Sequence, residues 1–199
     1  MRNSFIFLLF FIAAAQSCKR IEEVTATAGA GGSSIEGGSY TDPLGMQVSI
    51  EAKIIEVNKK SSFSAGIGYS RQGANYKDPD YSGTVTTSYI NLPLLYTYQS
   101  DKGFYGEIGL QPSFLLSGRD KGITSFTFAY EYDDDYKDSL NKFDLGIPVG
   151  IGYQFKNGLG IGARAVYGLL NVEKGNDYAT HNLLVVGLLR YRFNFQKKK

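Results

Sequence analysis

The sequence predicts an all-β protein, an eight-stranded antiparallel up-and-down transmembrane β-barrel behind an N-terminal export signal. Three observations lead there. Residues Phe143 to Phe195 form three successive runs of period 2, the polar side of those runs is mostly glycine, and the connections along the chain alternate short and long. Period 2 sends alternate residues to opposite faces of a strand. In the first run Phe143, Leu145, Ile147, Val149, Ile151, Tyr153 and Phe155 share one face. Asp144, Gly146, Pro148, Gly150, Gly152 and Gln154 share the other. After Lys156-Asn157-Gly158 come Leu159, Ile161, Ala163, Ala165, Tyr167 and Leu169, set against Gly160, Gly162, Arg164 and Gly168. The last run sets Leu183, Val185, Gly187, Leu189, Tyr191, Phe193 and Phe195 against Asn182, Arg190, Arg192 and Asn194.

The glycine face decides between lipid and water. A soluble ligand-binding barrel wets its polar face and would carry Lys, Glu and Thr there. Glycine weakens an ordinary strand and makes sense where side chains crowd. The interior of an eight-stranded barrel is such a place, just wide enough for side chains to fill. The bulky apolar residues then point outward, and an outward apolar band means lipid.

Composition fits this reading. At 199 residues the chain suits one domain, with no low-complexity linker. A mean hydropathy of −0.19 argues against a helical membrane bundle and is compatible with alternating strands. Net charge +2 makes no case for nucleic acid, and one cysteine excludes an intramolecular disulfide.

In chain order, residues 1–17 read as a signal peptide, with Arg2 ahead of the apolar run Phe5 to Ala15. That run is shorter than the roughly 20 residues a spanning helix needs. Ala13 and Ala15 supply an A-x-A site that makes Gln16 the mature start; lipidation of Cys18 is the rival reading. The barrel domain covers 18–195, and 196–199 is a basic tail, read as a solvated end. The first strand alternates Val24, Ala26, Ala28 and Ala30 with Thr25, Thr27, Gly29 and Gly31. The second carries Met46, Val48, Ile50, Ala52 and Ile54 outward, and its parity slips at Ile55 and Val57, which suggests a bulge. The third turns Phe63, Ala65, Ile67 and Tyr69 out, and the fourth Ile90, Leu92, Leu94, Tyr96 and Tyr98. The fifth follows Asp101-Lys102-Gly103 with Phe104, Ile108, Leu110, Phe114 and Leu116 outward and Glu107 inward.

Short turns follow the second, fourth and sixth strands. Long connections run 34–45, 72–87, 118–142 and 173–181, an asymmetry typical of outer-membrane barrels with short periplasmic turns. With the N-terminus periplasmic, Phe63, Tyr98, Phe104, Tyr153, Phe155, Tyr191 and Phe193 form an aromatic girdle at that rim. Tyr69, Phe114, Phe143 and Tyr167 make a sparser ring at the other.

Seven charged residues are expected to face the lumen: Glu51, Lys53, Glu107, Asp144, Arg164, Arg190 and Arg192. They could act as a filter or proton path. The structural alternative is a plug of neutralised ion pairs, favoured because eight strands leave no open channel. Arg164 and Arg190 lie on neighbouring strands and could share Glu107. His181, the single histidine, sits at a rim. A lipid-modifying site would need a Ser and an acid beside it, which spacing does not supply. The run Glu131, Asp133, Asp134 and Asp135 lacks the glycine and ligand spacing of a calcium loop. Interleaved with Tyr130, Tyr132 and Tyr136, it reads as an exposed contact loop. No catalytic, cofactor or metal-binding residues are assigned.

The segments Tyr89-Ile90-Asn91-Leu92-Pro93-Leu94-Leu95, Gly103-Phe104-Tyr105-Gly106-Glu107-Ile108-Gly109-Leu110 and Gly150-Ile151-Gly152-Tyr153-Gln154-Phe155, then Gly158-Leu159 and Leu189-Arg190-Tyr191-Arg192-Phe193, resemble the PorT-like outer-membrane β-barrel family. The resemblance covers about Phe63 to Phe195. It implies a small barrel of the bacterial outer membrane, some relatives being tied to protein secretion or surface assembly, and it carries over no catalytic residue. The extension Gln196-Lys197-Lys198-Lys199 after the terminal aromatic departs from the pattern. The expectation is a non-enzymatic, monomeric barrel with outer-membrane lipids and envelope or secretion-system proteins as partners. A rim lipid-modifying enzyme and a narrow pore are the alternatives.

Overall fold

The computed structural model of this chain describes residues 21–36, 40–41, 44–124, 129–175 and 179–195. The expected signal peptide at 1–17, Cys18 and the tail at 196–199 lie outside the described residues. Alternating side chains build β1 (Glu23–Glu36), β3 (Leu44–Asn58), β4 (Ser61–Lys77), β5 (Tyr81–Asn91), β6 (Leu94–Gln99) and β7 (Phe104–Thr124). They continue in β9 (Phe143–Gln154), β10 (Leu159–Gly168) and β11 (His181–Asn194). Two short strands, β2 (Tyr40–Thr41) and β8 (Tyr130–Asp135), and a 3-10 turn at Lys137–Ser139 extend one end.

Every pairing is antiparallel. β1 pairs with β3 and β11, and each wall strand pairs with its sequence neighbours, so the sheet closes on itself. β5 and β6 occupy one place in the wall, both pairing with β4 and β7, which makes the ring eight-stranded. The break between them falls at Pro93, whose missing N–H interrupts the ladder. Register shifts between Lys53 and Ile55 and between Glu56 and Asn58 mark the bulge that the parity slip in β3 predicts. The tight turns close with Gly103 at φ 96° and Gly158 at φ 92°, a conformation glycine adopts without steric cost.

The greasy faces look outward. Ile50, Ile67, Phe104, Ile108, Ile151, Ile161 and Leu189 are all exposed, and Glu51, Ser70, Glu107, Gln111, Arg164 and Arg190 are all buried. A water-soluble protein inverts that order. Four strands run past the apolar band. On β7 the outward face passes from Phe114 and Leu116 to Arg119 and Lys121, which marks where lipid ends. At roughly 3.4 Å per residue and a tilt near 45°, the 13 residues from Phe104 to Leu116 rise about 30 Å, enough for a band about 25 Å tall.

Two expectations change here. The connections expected at 72–87 and 118–142 are largely strand, because β4, β5, β7 and β8 continue as paired hairpins above the wall. The lumen is also less polar than the glycine face suggests. Val166, Leu184, Val186 and Leu188 point inward as a buried apolar cluster. Those long side chains lie against backbone: a Cβ on Gly45 would stand 2.5 Å from Leu184 and one on Gly29 2.5 Å from Leu188.

Candidate functional site

The inward residues of β3, β7, β10 and β11 bring four charges together in the lower half of the lumen. Arg164 on β10 donates through Nε to Glu107 Oε1 at 2.7 Å and through Nη1 to Glu51 Oε1 at 3.2 Å. Its Nη2 stands 2.7 Å from the same Glu107 oxygen. Arg190 Nη1 donates to Glu107 Oε2 at 3.4 Å, and its guanidinium lies 4.2 Å above the Tyr105 ring. Ser49 Oγ donates to Glu51 Oε1 at 2.9 Å and in turn accepts from Thr27 Oγ1 at 2.5 Å. Two cations face two carboxylates, so the group is neutral. That matters because an unpaired charge at this depth is prohibitive. Arg164 is 1 % exposed, with its whole guanidinium inside the barrel.

The glycine face is shaped to this cluster. A Cβ on Gly150 would come within 2.7 Å of Glu107 Oε1, and one on Gly160 within 2.7 Å of Arg190 Cγ. The hydroxyl end of Tyr105 lies against Gly152 and Gly162 in the same way. Large side chains on one strand occupy the volume that glycine leaves empty at the paired position of the next strand.

The remaining lumen charges do not join this group. Lys53 Nζ stands 3.6 Å from Glu23 and 3.1 Å from Glu56, and Arg192 Nε 3.3 Å from Glu23, which forms a separate cluster at the end with the tight turns. Asp144 has no cation within ion-pair distance among the described residues. Its carboxylate accepts from the Leu145 and Leu170 amides at 2.8 and 3.3 Å and from Asn182 Nδ2 at 3.4 Å. Glu23, which holds both Lys53 and Arg192, is the residue that sequence reasoning missed. Its signal was an acid in parity with Thr25 and Thr27, the inward residues at the start of the first strand.

Above the charged layer Gln47 Nε2 donates to Gln111 Oε1 at 3.0 Å. Higher still, Ile35, Ala74, Val85, Tyr89, Leu115, Leu140 and Val172 close the outer mouth as an apolar cap, with Tyr76 and Tyr136 packed on it. On that cap the hairpins meet. Tyr76 donates to Asp120 Oδ1 at 2.7 Å and pairs with the Tyr132 hydroxyl. Burial, then Asp134 and Glu173, push the Asp120 carboxyl above the usual carboxylate range, against the pull of the Tyr76 hydrogen bond. Burial and the Asp120 hydrogen bond raise the Tyr76 phenol. The acid run lies on β8, where Asp133 pairs with Lys121 at 2.7 Å and is held below its ordinary pKa by it.

The expected girdle residues occupy the outer face near the tight turns. Phe104 packs on Tyr153 at 5.1 Å, Tyr153 on Phe155 at 4.9 Å, Tyr191 on Phe193 at 4.7 Å and Phe63 on Tyr96 at 5.2 Å, and Tyr98 is exposed beside them. At the other rim Phe114 meets Phe143 at 5.4 Å, and the His181 ring lies 5.5 Å from that of Tyr167. His181 Nδ1 has no hydrogen-bond partner. Among the described residues no group of three or more His, Cys, Asp or Glu is arranged to hold a metal ion.

A closed antiparallel ring, apolar outside and filled with paired charges inside, is a membrane-spanning β-barrel. Residues 36–174 match the family described as outer membrane protein beta-barrel domain, and the chain belongs to that family, which places it in the bacterial outer membrane. Solved structures similar to it include neisserial surface protein A (NspA), at 14% identity over 86% of this chain and 96% of that one, TM-score 0.48. The attachment invasion locus protein Ail of Yersinia pestis is 16% identical over 86% and 99%, TM-score 0.46. The outer membrane enzyme PagL is 12% identical over 85% and 98%, TM-score 0.42. Among curated protein sequences nothing matches.

Proposed function

We propose that this protein is a non-enzymatic, closed outer-membrane barrel that presents its outer hairpins, and its periplasmic rim, to other envelope or secretion components. The observation that carries the reading is the neutral quartet of Glu51, Glu107, Arg164 and Arg190, which joins β3, β7, β10 and β11 across the lumen by buried ion pairs. Chemistry-bearing side chains are spent on closing the barrel. What remains for contact is outside the lipid band, where Tyr81 and Tyr130 are exposed on the β4–β5 and β7–β8 hairpins. Aromatic side chains of this kind suit protein contact surfaces. The likeness to PorT-like barrels supports a secretion or surface-assembly setting. Residues 1–17 serve as the export signal, and the aromatics from Phe63 to Phe193 anchor the periplasmic interface.

The test uses intact envelopes. A photo-crosslinking residue at Tyr130 or Tyr81 should capture a defined protein neighbour, and the purified barrel should give no discrete conductance steps in a planar bilayer. Capture of lipid alone at both positions would overturn the contact role. Lipid turnover abolished by His181→Ala would replace it with the enzyme reading, and regular conductance steps with the pore.

A further inference from the structure

Opposite the capped mouth, the end with the tight turns is open and charged. A polar pocket of about 80 Å³ lies there, between β1, the β3–β4 turn, β6 and the end of β11. Four cations line it, Lys53, Lys59, Lys60 and Arg192, against two carboxylates, Glu23 and Glu56. Those acids are already committed. Glu23 serves both Lys53, at 3.6 Å, and Arg192, at 3.3 Å, and Glu56 serves Lys53 at 3.1 Å. The Arg192 contact is an ion pair without hydrogen-bond geometry, so its Nε–H stays unsatisfied. Lys60 is held by Asp101 at 2.5 Å, and Lys59 meets no carboxylate among the described residues. The wall between the cations is polar, with Ser62 and Thr97 offering hydroxyl donors and Thr97 itself buried.

A partly buried arginine with an unused donor, a lysine that meets no carboxylate and nearby hydroxyls make a site short of negative charge. We propose that this mouth binds an oxyanion, a carboxylate or phosphate group carried by a molecule on that side of the membrane. The pocket has room for several waters or for one such group with the start of its chain. A cation is disfavoured by the excess of positive charge, Lys53, Lys59, Lys60 and Arg192 against Glu23, Glu56 and Asp101, and an apolar group would leave the Arg192 and hydroxyl donors without partners. Arg192 supplies a directed donor, Lys53 and Lys59 the charge, and Thr97 the floor. The quartet lies directly behind on β3 and β11, so the anion is bound at the mouth and goes no further.

The full-length barrel, folded in zwitterionic micelles, is titrated with inorganic phosphate, and separately with a short peptide bearing a free C-terminal carboxylate and its amidated twin. Amide and arginine side-chain NMR shifts are followed. Saturable shifts confined to the β3–β4 turn and Arg192 are expected, and whether phosphate or the free-acid peptide produces them names the source. Lys59 is exposed and outside the wall, so Lys59→Ser should keep the heat-modifiable gel mobility of a folded barrel and weaken binding about tenfold, the loss of one charge-assisted contact. Arg192→Gln should weaken it at least as much. No saturable shift up to about 10 mM of either anion, or binding unchanged in both variants, overturns the site. This binding test does not depend on which side the mouth faces. Labelling of Lys60→Cys in intact cells tests that separately, and rapid labelling from outside would reverse the orientation and leave the site standing.

Discussion

The two halves of the lumen are closed by opposite means. Toward the tight turns the seal is ionic, built on Arg164 between Glu51 and Glu107. Toward the hairpins it is apolar, built on Leu140, Tyr89, Ile35 and their neighbours. The difference follows from what surrounds each. Inside the lipid band every outward position must be apolar, so an inward polar layer gives alternating strands with an unambiguous face. Above the band the outward face is wet, and the ordinary arrangement returns, greasy inside and polar outside. One strand, β7, makes the exchange within itself. Its pairing with β5 shifts register between Ser88 and Tyr89, so Leu116 is an extra residue, and beyond it Gly118 is buried and Arg119 exposed.

The sharpest way to break the comparison is to remove one member of each seal. Arg164→Ala leaves Glu51 without a cation and Glu107 with Arg190 alone in the buried interior, and should destabilise the barrel by about 3–5 kcal/mol. The measurement is urea unfolding in vesicles, followed by heat-modifiable gel mobility. An unchanged transition would mean that water reaches the cluster and the seal is not ionic. Leu140→Ala deletes a fully buried side chain from the cap and should cost about 2–4 kcal/mol. Its effect should be local, with amide exchange rising in β8 and the ends of β5 and β7 while the wall stays protected. Uniform loss of protection would show that the cap and the wall unfold as one unit.

The glycine face offers a finer contrast between neighbours. Gly150→Ala places a methyl group 2.7 Å from Glu107 Oε1, in the middle of the ion pairs, and should cost about 1–3 kcal/mol. A methyl group on Gly106 meets nothing closer than 4.0 Å, so Gly106→Ala should change the same unfolding midpoint little. Equal effects at both positions would mean that glycine is there for backbone freedom and not for space.

Most of the wall was readable because period 2 is strongest where one face is lipid and the other is crowded. Ile147, Ile151, Ile161 and Leu189 could be assigned outward from spacing alone, and glycines opposite them indicated a filled interior. The legible part stops where alternation stops. Leu183 to Leu189 is almost uninterrupted aliphatic, so nothing in the run itself shows that Leu184, Val186 and Leu188 face inward. Parity carried from Arg190 would have assigned them. The hairpins above the band were read as loops because their strands are polar on both faces, yet the backbone ladder of β4 and β5 continues to Lys77 and Ser82. Which of seven lumen charges meet is set by register around a closed ring, a long-range property. Hence Arg164 finds Glu51 across 113 positions, while Lys53 and Arg192 turn to Glu23.

The smallest expected effect tests whether the apolar end has any ionic component. Asp120 sits at the edge of the cap with its carboxyl shifted upward by burial and by Asp134 and Glu173. A carboxyl whose folded pKa lies above its unfolded value binds more protons when folded, between the two values. Stability of the hairpins should therefore rise as pH falls through the folded pKa, and the gain is complete below the unfolded one. Asp120 is partly exposed, so screening holds the effect below about 1 kcal/mol. Amide exchange in β8 and the outer half of β4 should slow between neutral pH and about pH 4, after correction for the intrinsic pH dependence of exchange, and Asp120→Asn should abolish that dependence. If exchange in the hairpins does not slow, or Asp120→Asn leaves the dependence in place, Asp120 is not the group that links the cap to pH.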